Sequence, residues 1–315
     1  MTEPNEYTAF IDLLGFSNYV DKNINTAEES KIIFDYFNSI EERFIQYYKN
    51  DISLMDSAKY KANFTMLSDA VVITLKPQIL PLTNPNYEGQ SAGGLYLLTQ
   101  LIFDIAEYSI IQFGLPIRGG ISIKKTFWDN KMLVGKGLIE AYKLESKSAI
   151  YPRILISEEL ASQTKVIDIV NNIPNLAKQK NILNIVKKDN NDEKYYINIY
   201  AKIANTTFTV INDFEKAKNY KIELGEAFNN VIANIRKKDS SISKLYSDDD
   251  LVSIGIQSLS DKLDMFLKSY KKIIENNLNN SILEEKYKWL KNNHNNILEN
   301  INTNSNFDMN FYKIT

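Results

Sequence analysis

Residues 9–20, "AFIDLLGFSNYV", set one carboxylate, Asp12, inside an apolar run and follow it at once with Gly-Phe-Ser. A carboxylate in apolar surroundings is costly unless a cation or a hydrogen-bond donor meets it. The wider stretch 7–14, "YTAFIDLL", is aromatic and β-branched enough for a buried strand, and "LGFSNY" breaks it into a turn and then a helix. Further on, Ile33, Phe37, Ile40, Phe44 and Tyr48 keep the i, i+4, i+7 spacing of an amphipathic helix lying on a flat partner. Strand, turn and helix on a sheet point to an α+β fold.

The rest of the chain extends that pattern. "NFTMLSDAVVITL" (63–75) predicts two strands meeting at Ser68 and Asp69, a hairpin with a carboxylate at its tip. The Pro-, Gly- and Asn-rich segment 76–94 is expected to be a loop, and 95–113 a mostly apolar helix stopped at Gly114. Then come a strand in "LPIRGGIS", a turn around Trp128 to Asn130, a short strand, a helix in "LIEAYKLESKS", a strand in "YPRILIS" and another in "KYYINIYAKI". The order βα, ββ, α, ββ, α, β is that of a ferredoxin-like sandwich with additions. Past residue 205 the period becomes helical, as at Leu259, Leu263, Phe266, Tyr270 and Ile273. A further helix is expected from Ser281, with Glu284 completing a capping box, and its Trp289 and Leu290 are expected to pack on the neighbouring helix. We divide the chain into a domain of residues 1–204 and an all-helical extension, 205–315.

Composition removes whole classes of chemistry. The 315 residues are 44% hydrophobic, enough for a substantial core. Lys plus Arg at 37 against Asp plus Glu at 39 gives a net charge of -2, with no basic block to follow a phosphate backbone, so a nucleic acid polymer is not expected as partner. Without cysteine there are no disulfides, thiolate metal sites or Cys nucleophiles, and the single histidine, His294 in "KNNHNN", leaves no Ser-His-Asp triad or His-rich metal site. The polar N-terminus and the lack of a long uncharged stretch predict a cytoplasmic protein without membrane insertion. Carboxylates, Lys, Arg and backbone amides remain.

Asp12 at a strand end and Asp69 at a hairpin tip lie side by side if their strands are neighbours. Two carboxylates at about 4 Å repel by roughly 4 kcal/mol at an effective dielectric near 20, and a divalent cation reverses this. Hard oxygen ligands beside the Gly-Phe-Ser amides suit Mg²⁺ or Mn²⁺ holding a triphosphate. The plainer alternative is that Asp12 caps the helix and Asp69 merely turns the hairpin.

In order and spacing, "FIDLLGFS", "LSDAVV", "IRGGIS", "GKGLIEAYKLE" and "AIYPRILIS" resemble the class III nucleotidyl cyclases, and among them the short bacterial pyrimidine cyclases of Pycsar antiphage systems, over about residues 7 to 203. The resemblance implies that Asp12 and Asp69, with the Leu13 carbonyl, hold two divalent cations, Mn²⁺ or Mg²⁺. It also implies that the amides of Gly15, Phe16 and Ser17 hold the β and γ phosphates and that Arg118 contacts phosphate. Where purine cyclases place an Asn and an Arg on the transition-state helix, this chain has Ile139 and Lys143. Lys143 would serve only as a point charge, and Arg153 is the alternative cation. The adenine-reading Lys and Asp positions fall on Thr65 and Met132, which cannot reproduce that pair. A pyrimidine triphosphate is therefore expected; a threonine hydroxyl can meet either base, and the family resemblance implies UTP, with CTP the alternative.

The family also implies a homodimer with active sites shared between subunits and a separate effector protein that responds to the cyclic nucleotide. Two other readings stand beside it: a degenerate cyclase fold that senses nucleotides, and another two-metal palm enzyme, which the missing GG-D/E-EF run disfavours. Trp128 is expected to pack at a dimer surface, and Tyr142 and Glu145 to pair structurally.

Overall fold

The computed structural model describes residues 3–49, 60–78, 86–129, 132–176, 183–220, 248–280, 283–304 and 308–315. Strand β1 (Tyr7–Leu13) leads through a turn into helices α1 (Phe16–Asn23) and α2 (Ala27–Lys49). The hairpin β2 (Tyr60–Leu67) and β3 (Ala70–Pro77) follows, then α3 (Tyr87–Tyr108), continued by a π turn over Ser109–Phe113, and β4 (Ile117–Ser122). These four strands stand in the order β2-β3-β1-β4, with β1 antiparallel to both β3 and β4, which is the ferredoxin-like arrangement.

A small separate ribbon, β5 (Thr126–Trp128) with β6 (Leu133–Gly135), precedes α4 (Lys136–Lys143) and a π turn over Leu144–Ser148. Strand β7 (Ile154–Ile156) joins β4 in parallel, and after α5 (Glu158–Ala161) and α6 (Thr164–Leu176) the antiparallel pair β8 (Val186–Lys188) and β9 (Tyr195–Ile197) completes a seven-stranded sheet.

Alternation along β1 decides what each face does. Tyr7, Ala9, Ile11 and Leu13 are all 1% exposed or less and join one core with Ile33 and Phe37 of α2, Leu95 and Ile102 of α3 and Val166 of α6. Thr8, Phe10 and Asp12 take the opposite face, which α4 covers in part: Tyr142 packs edge-on against Phe10 at 5.3 Å. Gly120 permits this cover, since a Cβ there would lie 2.4 Å from both the Ala141 carbonyl oxygen and the Leu144 Cβ.

Two local readings are corrected. Residues 87–94, expected in a loop, form the first turns of α3, because Asn86 caps the helix by accepting from the Gly89 amide, and Gly94 lies where a Cβ would meet the Tyr60 ring at 2.4 Å. Its small residues serve close approach, not a turn. The strand expected over 194–203 is confined to Tyr195–Ile197, and the chain turns helical at Ala201.

Helix α7 (Ala201–Tyr220) runs through positions 204 and 205, and α8 (Asp248–Asn277) and α9 (Glu284–Asn304) follow. Ser281, the expected helix start, and Asn130 lie outside the described residues. The helices share the core of the sheet: Tyr200 meets Phe266 and Tyr270 edge-on and places its hydroxyl 2.7 Å from His294 Nδ1, whose Nε2 lies 3.0 Å from the Tyr312 carbonyl oxygen. The lone histidine is thus a buried tie, held neutral by burial, which depresses its pKa to about 4. Tyr87–Phe113 meets the length and apolarity of a membrane-spanning helix, but it is a core helix under the sheet.

Candidate active site

Cross-strand register brings the sequence candidates together. Asp12 stands opposite Ala70 on β3 and Arg118 on β4, and the Leu13 amide donates to the Asp69 carbonyl oxygen at 3.3 Å. Asp69 closes a two-residue hairpin in which Ser68 takes a left-handed conformation, φ 58°. The Leu13 side chain is buried on the other face, so only its backbone faces this corner. Gly15 holds φ 86° and leads straight into α1, whose N-terminus has no side-chain cap, and Gly15 and Ser17 are exposed while Phe16 packs partly on the core. The turn over Gly15, Phe16 and Ser17 is an uncapped helix start beside Asp12.

The electrostatics are unbalanced. Arg118 forms an ion pair through one terminal nitrogen with Glu145 of the π turn after α4, and the same nitrogen lies 3.7 Å from Asp12 Oδ2. Its Nε is buried without a hydrogen-bond partner. Burial raises the Asp12 pKa to about 6, helped by the Glu145 and Asp69 carboxylates, and Arg118 opposes the rise. Two carboxylates thus share one guanidinium, with the Asp69 charge close enough to act on Asp12. Among the described residues no group of three or more His, Asp or Glu side chains forms a ready metal-ligating set. What is present is a pair of hard carboxylates in a corner with excess negative charge, and that donor chemistry fits a divalent cation of the Mg²⁺ or Mn²⁺ kind.

Thr65 lies on the same sheet face as Asp12 and Phe10, one strand beyond Val72, which stands opposite both Thr65 and Phe10. Asn63, two residues earlier and on the same face, donates through Nδ2 to Thr65 Oγ1 at 3.1 Å. No motif pointed to Asn63; the i, i+2 alternation of a strand was the available signal.

Other candidates lie elsewhere within the protomer. Met132 is 68% exposed at the end of the β5–β6 ribbon, where its amide donates to Asp129 Oδ1. Lys143 and Ile139 are exposed on α4 and do not join the Asp12 corner. Arg153 is corrected from a catalytic cation to a structural one: it is 3% exposed, paired with Asp189 and Asp192, and enclosed by the rings of Tyr151, Trp289 and Tyr196 at 5.0, 5.3 and 5.9 Å. Trp289, expected on the neighbouring helix, instead stacks on Tyr151 at 4.9 Å and donates to Asp189 Oδ2 at 2.8 Å. Glu145, expected to pair with Tyr142, pairs with Arg118, while Tyr142 takes the Phe10 ring.

No family model matches the chain, and no curated protein sequence matches it. Among solved structures, the adenylyl cyclase CyaB from P. aeruginosa is similar over 62% of this chain and 94% of its own, at 15% identity and a TM-score of 0.34. A bacterial light-regulated adenylyl cyclase is similar over 52% of this chain and 44% of its own, at 16% identity and a TM-score of 0.31.

Proposed function

We propose that this chain is a nucleotidyl cyclase that converts UTP to 3′,5′-cyclic UMP and diphosphate as a second messenger of a Pycsar-type antiphage system. The observation that carries the reading is the corner where Asp12, Asp69 and Arg118 meet beside the uncapped start of α1. The ribose 3′-oxygen forms the new bond to the α-phosphorus, the bond from that phosphorus to the β-phosphate oxygen breaks, and the 3′-hydroxyl proton passes to solvent. Asp12, Asp69 and the Leu13 carbonyl would hold two divalent cations, whose charge would acidify the hydroxyl and steady the leaving diphosphate.

The chain's own residues do the rest. The first amides of α1, at Phe16 and Ser17 after Gly15, point their free donors at phosphate oxygens, which the helix dipole also favours. Arg118 adds a planar cation to the same phosphates. Base contact falls to Thr65 and Asn63. Because the Asn63 amide nitrogen donates to the Thr65 oxygen, the hydroxyl hydrogen is left to donate and Asn63 Oδ1 to accept. A donor beside an acceptor meets the O4 and N3–H edge of uracil and equally the N3 and N4–H edge of cytosine, so the choice of UTP rests on the family resemblance. Lys143, Ile139 and Met132 enter only if a second copy shares the site, and the exposed Phe127, Met132, Val134, Ile139 and Tyr142 form the apolar face for that homodimer. The cyclic product is read by a separate effector.

The test is purified protein with Mn²⁺ and each of the four ribonucleoside triphosphates, with products identified by mass spectrometry. Cyclic UMP is the expected product, lost by at least 10³-fold in Asp12→Ala and in Asp69→Ala with folding retained. A folded wild type that yields no cyclic product from any triphosphate overturns the reading. Turnover of ATP alone overturns the base assignment only.

A further inference from the structure

Glu145 is the acid of this corner that no motif singled out. It is 4% exposed, and its carboxylate is ion-paired with Arg118. Asp12 competes for the same terminal nitrogen from 3.7 Å. A buried acid placed only to anchor the turn after α4 would be redundant, because that segment is already fixed by other contacts. Glu140 accepts from Ser122 Oγ and from Lys124 Nζ at 2.5 Å each, Ala141 and Leu144 press on Gly120, and the Ala149 amide donates to the Leu144 carbonyl oxygen at 2.7 Å. The anchoring leaves Glu145 a different task.

We propose that Glu145 is a positioning residue whose carboxylate holds Arg118 off Asp12, so that the Asp12 and Asp69 pair keeps the net negative charge a divalent cation requires. The proposal rests on the metal-dependent cyclase reading of that pair and deepens it. An unrestrained guanidinium directly opposite Asp12 in register would close on the carboxylate and compete with the cation for the same oxygens. With Glu145 in place, Arg118 is neutralised without being removed and stays within reach of a phosphate.

The experiment is titration of nucleotide-free protein with Mn²⁺, followed by the electron paramagnetic resonance signal of free Mn²⁺, for the wild type, Glu145→Gln, Glu145→Asp and the double variant Glu145→Gln with Arg118→Met. Glu145→Gln is expected to weaken Mn²⁺ binding about tenfold, and Glu145→Asp, which keeps the charge on a shorter stem, about threefold. The double variant is expected to return within about threefold of wild type, because the competing cation leaves with its counter-ion. Circular dichroism and the unfolding midpoint verify the fold of each variant, and Glu145→Asp against the double variant carries the comparison if Glu145→Gln unfolds. Unchanged affinity in Glu145→Gln, or a double variant as weak as the single, overturns the proposal while leaving the metal pair intact. A wild type that binds no Mn²⁺ overturns the metal reading and this proposal with it.

Discussion

Two arginines begin neighbouring segments of the same sheet, and their surroundings are opposites. The Arg153 amide carbonyl accepts from Gly119, next in sequence to Arg118, so the two backbones touch. Arg153 is walled in by three aromatic rings and answered by two carboxylates, one of which also accepts from Trp289. Arg118 has a side chain 20% exposed and faces more acid than it can neutralise. The acids report the difference. Although burial works against its charge, Asp192 is held below the usual carboxylate range by the hydrogen bond and charge of Arg153 and by Lys194. Asp12 is pushed up to about 6, by burial first and then by neighbouring acids. A saturated cation box ties the helices to the sheet, and an unsaturated one leaves room for a ligand.

The same substitution at both arginines is the largest expected contrast. Arg153→Met leaves Asp189, 7% exposed, as an uncompensated buried charge between Trp289 and the β8–β9 pair. Breaking a buried pair from one side costs about 3–5 kcal/mol, and urea unfolding followed by circular dichroism should show it. Arg118→Met likewise strands a buried acid, Glu145, and is expected to cost about 3 kcal/mol, the lower end of that range because Arg118 is itself 20% exposed, while lowering activity far more than Arg153→Met does per folded molecule. Equal activity losses per folded molecule at the two sites would break the distinction.

A middle-sized effect belongs to Gly120→Ala. The added Cβ meets the Ala141 carbonyl oxygen and the Leu144 Cβ at 2.4 Å, so α4 and its π turn must lift from β4. Overpacking of this kind costs about 1–3 kcal/mol. Since Glu145 is the next residue in that turn, the lift also withdraws it from Arg118. Loss of stability without any change in Mn²⁺ affinity would separate the packing role of the glycine from the electrostatics of the corner.

How far the sequence reached depends on whether the relevant contacts are local. The β1 strand, the Ser68–Asp69 hairpin and the β4 strand were legible because alternation and turn residues are short-range signals; that Arg118 belongs with Asp12 and Asp69 came from the family resemblance, and the register of β1 against β3 and β4 is what brings them to one corner. The partners of the arginines were not legible. Arg118 and Glu145 meet only after the β5–β6 ribbon and α4 have folded back over β4, and Arg153 finds Asp189 and Trp289 from two later, separate elements. Tyr151 of "YPRI" is one of the rings around Arg153, but nothing local shows that Tyr196 and, more than a hundred residues on, Trp289 complete the enclosure. The start of α3 was missed for a related reason: its glycines serve helix packing on Tyr60, which only the assembled sheet reveals.

The smallest effect is the one whose sign best tests the comparison. The Asp12 pKa rises in the folded protein from its ordinary 3.8 to about 6, so the native state binds the proton more tightly than the unfolded chain does. Its ionised form therefore destabilises the fold: the penalty is fully present above about pH 6 and fades as pH falls towards 4. Asp12→Asn removes it, and after discounting for solvent screening the gain is about 1 kcal/mol in metal-free buffer at pH 7.5. It should shrink when both proteins are unfolded in urea at pH 4.5. Asp192 runs the other way: with its pKa lowered, its support is present at neutral pH and lost as pH falls through the folded value. Added Mn²⁺ should then stabilise the wild type and not Asp12→Asn, because only a group that binds the native state shifts its unfolding. A variant that is less stable than wild type at pH 7.5 without metal would mean that Asp12 holds the fold together, and would place it with Asp192 instead of against it.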